Sequence, residues 1–151
     1  VSDEIRYLRL RADTLMGMFR RLPPPERARA LEALARSTAE AGGDSARRYF
    51  AAARGDKAAL LATIVKTAAE LGWGTWRFTG QGGPRLALEV TDSPFAAGYG
   101  AAGGAVCAPI SGMLEAVAAL VLGSECEARE TECSAHGAAC CRFEAIAKGK
   151  P

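Results

Sequence analysis

Residues 125–145, Glu125-Cys126-Glu127-Ala128-Arg129-Glu130-Thr131-Glu132-Cys133-Ser134-Ala135-His136-Gly137-Ala138-Ala139-Cys140-Cys141-Arg142-Phe143-Glu144-Ala145, decide the fold. The first part, 125–133, alternates acids with small or polar residues. Residues 141–145 alternate again, with Cys141, Phe143 and Ala145 on one face, which is the period of a strand with one buried side. His136-Gly137 marks the turn between the two. Upstream, Thr75-Trp76-Arg77-Phe78, the turn segment Gln81-Gly82-Gly83-Pro84 and Arg85-Leu86-Ala87-Leu88-Glu89-Val90 repeat the pattern. These read as an antiparallel hairpin whose Trp76 and Phe78 face needs an apolar cover.

Helices supply that cover. Between the hairpins, the glycine-rich stretch 98–104 is a connection. Pro109 then opens a helix bearing Ile110, Met113, Leu114, Val117, Leu120 and Val121, closed by Gly123. In the first half, Ile5, Leu8, Leu15, Met18, Phe19 and Leu22 recur at helical spacing up to the Pro23-Pro24-Pro25 run. A second helix starts at Pro25, carries Ala28, Leu31, Leu34 and Ala35, and is expected to fade at Gly42-Gly43. Asp44 or Ser45 would then cap a short helix with Tyr49 and Phe50. Asp56 caps a further helix that buries Leu60, Leu61, Ile64, Val65 and Ala68. The expected fold is α+β: an antiparallel sheet of about four strands packed against helices, with a helical N-terminal half. Residues 1–22 are expected to form an N-terminal helix and candidate dimerisation element, and 23–151 a single domain.

Composition bounds the function. The 151 residues carry a net charge of +2, with 19 basic and 17 acidic side chains. Arginines concentrate in the first third but acids are interspersed, which describes solvated helix faces and gives no case for nucleic acid. The uncharged stretch 94–114 is broken by glycines and Pro109, and the apolar run 116–122 is too short to span a bilayer, so no membrane segment is expected. The five cysteines are an odd number and no targeting segment is recognised, which makes the cytoplasm the expected compartment.

Cys107, Glu130, Cys133 and Cys141 are the residues that call for chemistry. Thiolates suit a borderline-soft d¹⁰ ion and a carboxylate can serve as fourth donor, so such spacing can close a tetrahedral zinc site. The same cysteines could equally be small core hydrophobes, since free Cys is among the most buried residue types. Strand pairing would bring Cys133 and Cys141 together. In a regular strand, however, both Glu130 and its rival Glu132 point away from the face of Cys133, and a bulge or an early strand end would have to resolve the conflict.

With those residues in hand, Ala105-Val106-Cys107-Ala108-Pro109-Ile110-Ser111-Gly112, Glu130-Thr131-Glu132-Cys133-Ser134-Ala135-His136-Gly137, Cys141-Arg142-Phe143-Glu144 and the earlier Asp92-Ser93-Pro94-Phe95 resemble the 4-vinyl reductase domain. That domain also forms the sensory domain of bacterial aromatic-hydrocarbon-responsive regulators. The resemblance covers residues 74–147 well and the N-terminal helices loosely. It implies a structural Zn²⁺ on Cys107, Glu130, Cys133 and Cys141, a small hydrophobic ligand and a homodimer. Cys126 and Cys140 stay outside the ligand set, and His136 is a turn residue or a donor to a ligand.

Trp73, Trp76, Phe78, Phe95, Tyr99 and Met113 are the candidate ligand-lining residues, because an apolar ligand needs aromatic walls with few polar groups. Phenol-sensing members of the family orient the ligand hydroxyl with a His and a Trp. The sole His here, His136, lies in the metal segment, which speaks against phenol. The residues lean away from an enzyme. There is no dinucleotide or phosphate-loop fingerprint and no Ser-His-acid set, and four protein donors leave a zinc ion no site for an activated water. The leading expectation is a zinc-stabilised sensor or carrier for a hydrophobic or aromatic ligand. An accessory protein or reductase of tetrapyrrole (bacteriochlorophyll) synthesis is the alternative, followed by a dimeric scaffold whose pocket is filled by its own side chains.

Overall fold

The computed structural model describes residues 4–149. Among them, helices α1 (Ala12–Arg20), α2 (Pro24–Ala52) and α3 (Lys57–Glu70) precede strands β1 (Thr75–Gly82) and β2 (Arg85–Thr91). Helices α4 (Pro94–Tyr99) and α5 (Ala108–Leu122) follow, then β3 (Cys126–Glu132), a single 3₁₀ turn at Ser134–His136, and β4 (Cys141–Ala147). The four strands form one antiparallel sheet in the order β1-β2-β4-β3. The α+β class and the two hairpins are therefore as the alternation indicates, with β2 and β4 pairing at the centre.

One face of the sheet is apolar and the other is ionic. Leu86, Leu88 and Val90 of β2, with Cys141, Phe143 and Ala145 of β4, are buried against α5, which contributes Ile110, Leu114, Val117 and Val121. On the outer face Glu89 binds Arg77 and Arg142, and Glu144 binds Arg85 and Arg129, so cross-strand ion pairs replace the missing cover. Helix α2 packs along α5, and α3 packs on β1.

Helix α2 corrects the expected break at Gly42-Gly43, running unbroken through both glycines to Ala52. Each glycine costs a helix about 1 kcal/mol in isolation, but here packing overrides propensity. A Cβ on Gly42 would sit 2.5 Å from the Met113 sulfur of α5, and one on Gly43 would touch the Ala116 methyl. On the facing side, a Cβ on Gly112 would collide with the Ala35 backbone carbonyl. Small residues on both helices let α2 and α5 cross closely, and the continuous helix is what positions them.

The N-terminal helix is shorter than its apolar spacing suggests. It begins at Ala12 and buries Met16 and Phe19, packing against α4, a short helix that the residue pattern before the glycine-rich connection does not announce. Of the expected 1–22 element, residues 1–3 lie outside the described residues. Residues 4–10 are non-helical, with Ile5, Tyr7, Leu8 and Leu10 all exposed, Leu8 at 91%. A short helix without a surface to pack on is marginal in water, so the apolar repeat alone does not make one. Arg27 closes the far end of α1, its guanidinium donating to the carbonyls of Phe19 at 3.0 Å and Leu22 at 2.9 Å.

Candidate metal centre and apolar cavity

Cys107, Glu130, Cys133 and Cys141 converge, each offering one ligand atom, with all four atoms within 4.8 Å of one another. Local backbone makes this possible. Cys107 is the N-cap of α5, held where Pro109 forces the first turn. Strand β3 carries a bulge between Glu130 and Glu132, where Glu130 pairs with Phe143 but Glu132 already pairs with Arg142. The extra residue, Thr131, reverses the alternation, and the strand ends before Cys133. Glu130 thus comes to the side of the thiols. Glu132 is left exposed and ion-paired to Arg142 at 3.2 Å, which removes it as the rival donor.

The charge state of this group is crowded. The Cys107 and Cys141 sulfurs are 3.8 Å apart, which is about the edge of a tetrahedron with Zn–S bonds of about 2.3 Å. Both carboxylate oxygens of Glu130 are buried without a hydrogen-bond partner. Burial pushes the Glu130 carboxyl above its ordinary range, against the pull of Cys133 and Cys107. Hydrogen bonds from Cys107 and then Cys133 lower the Cys141 thiol to about 2, whereas contact with Cys133, then Cys141, and burial raise Cys107. The group therefore holds one easy thiolate and resists further ionisation, because adjacent negative charges away from water have nothing to offset them. A divalent cation is what would let all four donors ionise, and the donor set fits a borderline-soft ion.

Neighbouring groups orient the thiols. Ser93, the N-cap of α4, places Oγ 3.2 Å from the Cys107 sulfur, and the Ser134 backbone N–H donates to the Cys141 sulfur at 3.4 Å with its hydroxyl at 3.3 Å. Spacing alone does not reveal either serine as a member of the site; the available signal is adjacency, Ser93 before Pro94 and Ser134 after Cys133. His136 stands outside the cluster, its Nδ1 2.9 Å from the Ala102 carbonyl, where it ties the 3₁₀ turn to the loop before α5. Cys126 is buried beside the Ser124 carbonyl, and Cys140 is half-buried, so neither joins the group.

A cavity of about 490 Å³ opens elsewhere, between α2, α3, the start of β1 and α5. Its volume lies in the range of small-molecule sites. Trp73, Trp76 and Met113 line it, as do Ile64 and Ala68 of α3 and Tyr49 of α2, whose spacing in the sequence indicates only core or a helix face. Phe78, Phe95 and Tyr99 do not line it. Phe95 packs edge-on against Trp73 at 5.1 Å, Tyr99 is buried under the Arg20 guanidinium at 5.9 Å, and Phe78 is half-buried against the core. Alternation places an aromatic on a face but not beside a gap, which explains the split. Ile5 and Tyr7, from the exposed arm before α1, form part of the rim. No helix among the described residues is long and apolar enough to cross a membrane.

Comparison with known proteins gives the same C-terminal frame. The chain is similar to the phenol-responsive sensory domain of the transcription activator PoxR, solved with phenol, at 18% identity and a TM-score of 0.79, over 95% of this chain and 78% of that one. It is also similar to a vinyl-4-reductase family protein from Methanocaldococcus jannaschii, at 12% identity and 0.58, over 97% and 100%. A third similar structure is trafficking protein particle complex subunit 3 from Naegleria fowleri, covalently bound to palmitic acid, at 11% and 0.61, over 91% and 95%. No curated protein matches the chain significantly. The family model of the 4-vinyl reductase domain matches residues 86–147, the stretch that holds all four members of the Cys/Glu cluster, and this part of the chain is a 4-vinyl reductase domain.

Proposed function

We propose that the chain is a zinc-stabilised domain that binds a small hydrophobic or aromatic molecule, as a sensor or carrier rather than as a catalyst. The observation that carries this is the cavity, about 490 Å³ walled by Trp73, Trp76, Ile64 and Met113, apolar enough to take such a ligand and far larger than the voids of ordinary packing. Two structures of the same fold, described with phenol and with palmitic acid, support a ligand role for such a frame. The orphaned Glu130 carboxylate and the near-tetrahedral sulfur spacing support a metal on Cys107, Glu130, Cys133 and Cys141. Four protein donors leave no open position, so the ion would serve structure. It would fix the start of α5 to the β3–β4 end of the sheet. Self-association as a homodimer belongs to the same reading, and light scattering checks it.

Native mass spectrometry of the purified chain tests both halves. One Zn²⁺ per chain is expected, and a bound organic molecule or saturable quenching of Trp73 and Trp76 by an added apolar compound. A chain that folds metal-free and leaves its tryptophan emission unchanged across a panel of apolar compounds overturns the reading.

A further inference from the structure

The cavity is not uniformly apolar. Its buried floor is Ile64, Ala68 and Trp76, while its exposed rim carries two charged side chains, Asp44 and Arg48. Asp44 is neutralised by an ion pair with Arg47, one turn along α2. Arg48 has no ion pair or hydrogen bond among the described residues and is left as the uncompensated charge of the rim. Beside it, the hydroxyls of Ser45 and Tyr49 line the same space, both half-buried and without a protein partner among the described residues. The three lie within two turns of one helix, so they share a face.

We infer that the cavity takes an amphipathic anion, an apolar or aromatic body seated on Trp76 and Ile64 with a carboxylate directed at Arg48. This rests on the reading of the cavity as a ligand site and adds the class of ligand. A planar guanidinium presents paired N–H donors that match the two oxygens of a carboxylate, whereas a neutral alcohol uses one at most. Asp44 would repel an anion if it were free, but its pairing with Arg47 leaves the rim with a net single positive charge. Arg48 therefore determines specificity, and the aromatic floor provides affinity for the body of the ligand.

The test compares three probes with one apolar body, 6-phenylhexanoate, 6-phenylhexan-1-ol and 6-phenylhexylamine, read by the emission of Trp73 and Trp76, the only tryptophans in the chain. The acid is expected to bind about tenfold more tightly than the alcohol, with the amine weakest, and the advantage should shrink as salt is raised. In Arg48→Gln, an exposed substitution that leaves the core intact, the acid should fall to the level of the alcohol while the alcohol is unchanged. Equal binding of acid and alcohol to the native chain would overturn the inference and leave the cavity as a neutral apolar site. An acid preference that survives Arg48→Gln would overturn the role given to Arg48. Failure of all three probes to bind would remove the ligand reading itself, and the inference with it.

Discussion

Helix α5 joins two regions that lack opposite things. At its N-cap, Cys107 sits among Glu130, Cys133 and Cys141 with ligand atoms within 4.8 Å, more potential negative charge than the surrounding protein can balance. Six residues along the same helix, which is about 9 Å of rise, Met113 borders a cavity of about 490 Å³ that holds too few atoms. The first region is short of a cation and the second of apolar bulk. The sequence separations differ in the same sense. The cluster is drawn from a helix start and one hairpin, whereas the cavity needs α2, α3, β1 and α5 at once. A site with crowded donors is fixed in geometry and narrow in what it accepts, while a site with spare volume can accept many shapes.

The comparison is broken most severely at the metal end. With zinc on the cluster, Cys141→Ala is expected to abolish stoichiometric metal and to destabilise the domain by about 4 kcal/mol, read as zinc content by mass spectrometry and stability by denaturant melt. Prolonged chelation of the native chain should reproduce the same loss. Next in size is Gly112→Ala, which puts a methyl against the Ala35 carbonyl where α5 crosses α2. Forcing those helices apart should cost about 3 kcal/mol. Because the cavity is built on that crossing, tryptophan emission should change while zinc content holds. If Gly112→Ala lost zinc as well, the two regions would be one cooperative unit rather than two.

The unequal legibility of the two regions has a physical source. The cluster can be read because thiols and carboxylates of this kind are few and strand period 2 fixes their neighbours. Its one open point, Glu130 against Glu132, turns on a bulge at Thr131 that residue types do not announce. The aromatics give less. Trp76, Phe78, Phe95 and Tyr99 carry the same apolar signal, yet only Trp76 of these reaches the gap, because a cavity is defined by what neighbours fail to fill. Helix α2 shows the other limit. Gly42-Gly43 locally reads as a stop, and only the approach of Met113 and Ala116 from a segment about seventy residues away turns it into a crossing point.

Glu130→Gln sharpens the contrast because its sign depends on the metal. Without metal the carboxylate is buried and unpartnered, so the neutral amide relieves desolvation and should stabilise the metal-free chain by about 1 kcal/mol. With metal present it removes an anionic donor, and the loaded chain should become less stable than the native one. Paired denaturant melts with and without chelator check this. A substitution that destabilises both forms equally would show Glu130 to be a packing residue and weaken the case for a cation there.

The smallest expected effect lies on the neighbouring strand, where a glutamate has the opposite environment. Glu144 of β4 stands on the outer face of the sheet, accepting from Arg129 at 2.6 Å and Arg85 at 3.1 Å, and these hydrogen bonds hold its carboxyl below the ordinary value of 4.5. A carboxyl depressed in the folded chain contributes stability that is fully present above its ordinary value and is lost as pH falls through the folded value. Glu144→Gln should therefore lower the melting midpoint slightly at neutral pH, less so in high salt, and bring mutant and native curves together in acid. A difference that instead widened in acid would mean that Glu144 acts through packing on β3 rather than through its charge. The ionic outer face would then have to be counted as part of the structure that shapes the cluster.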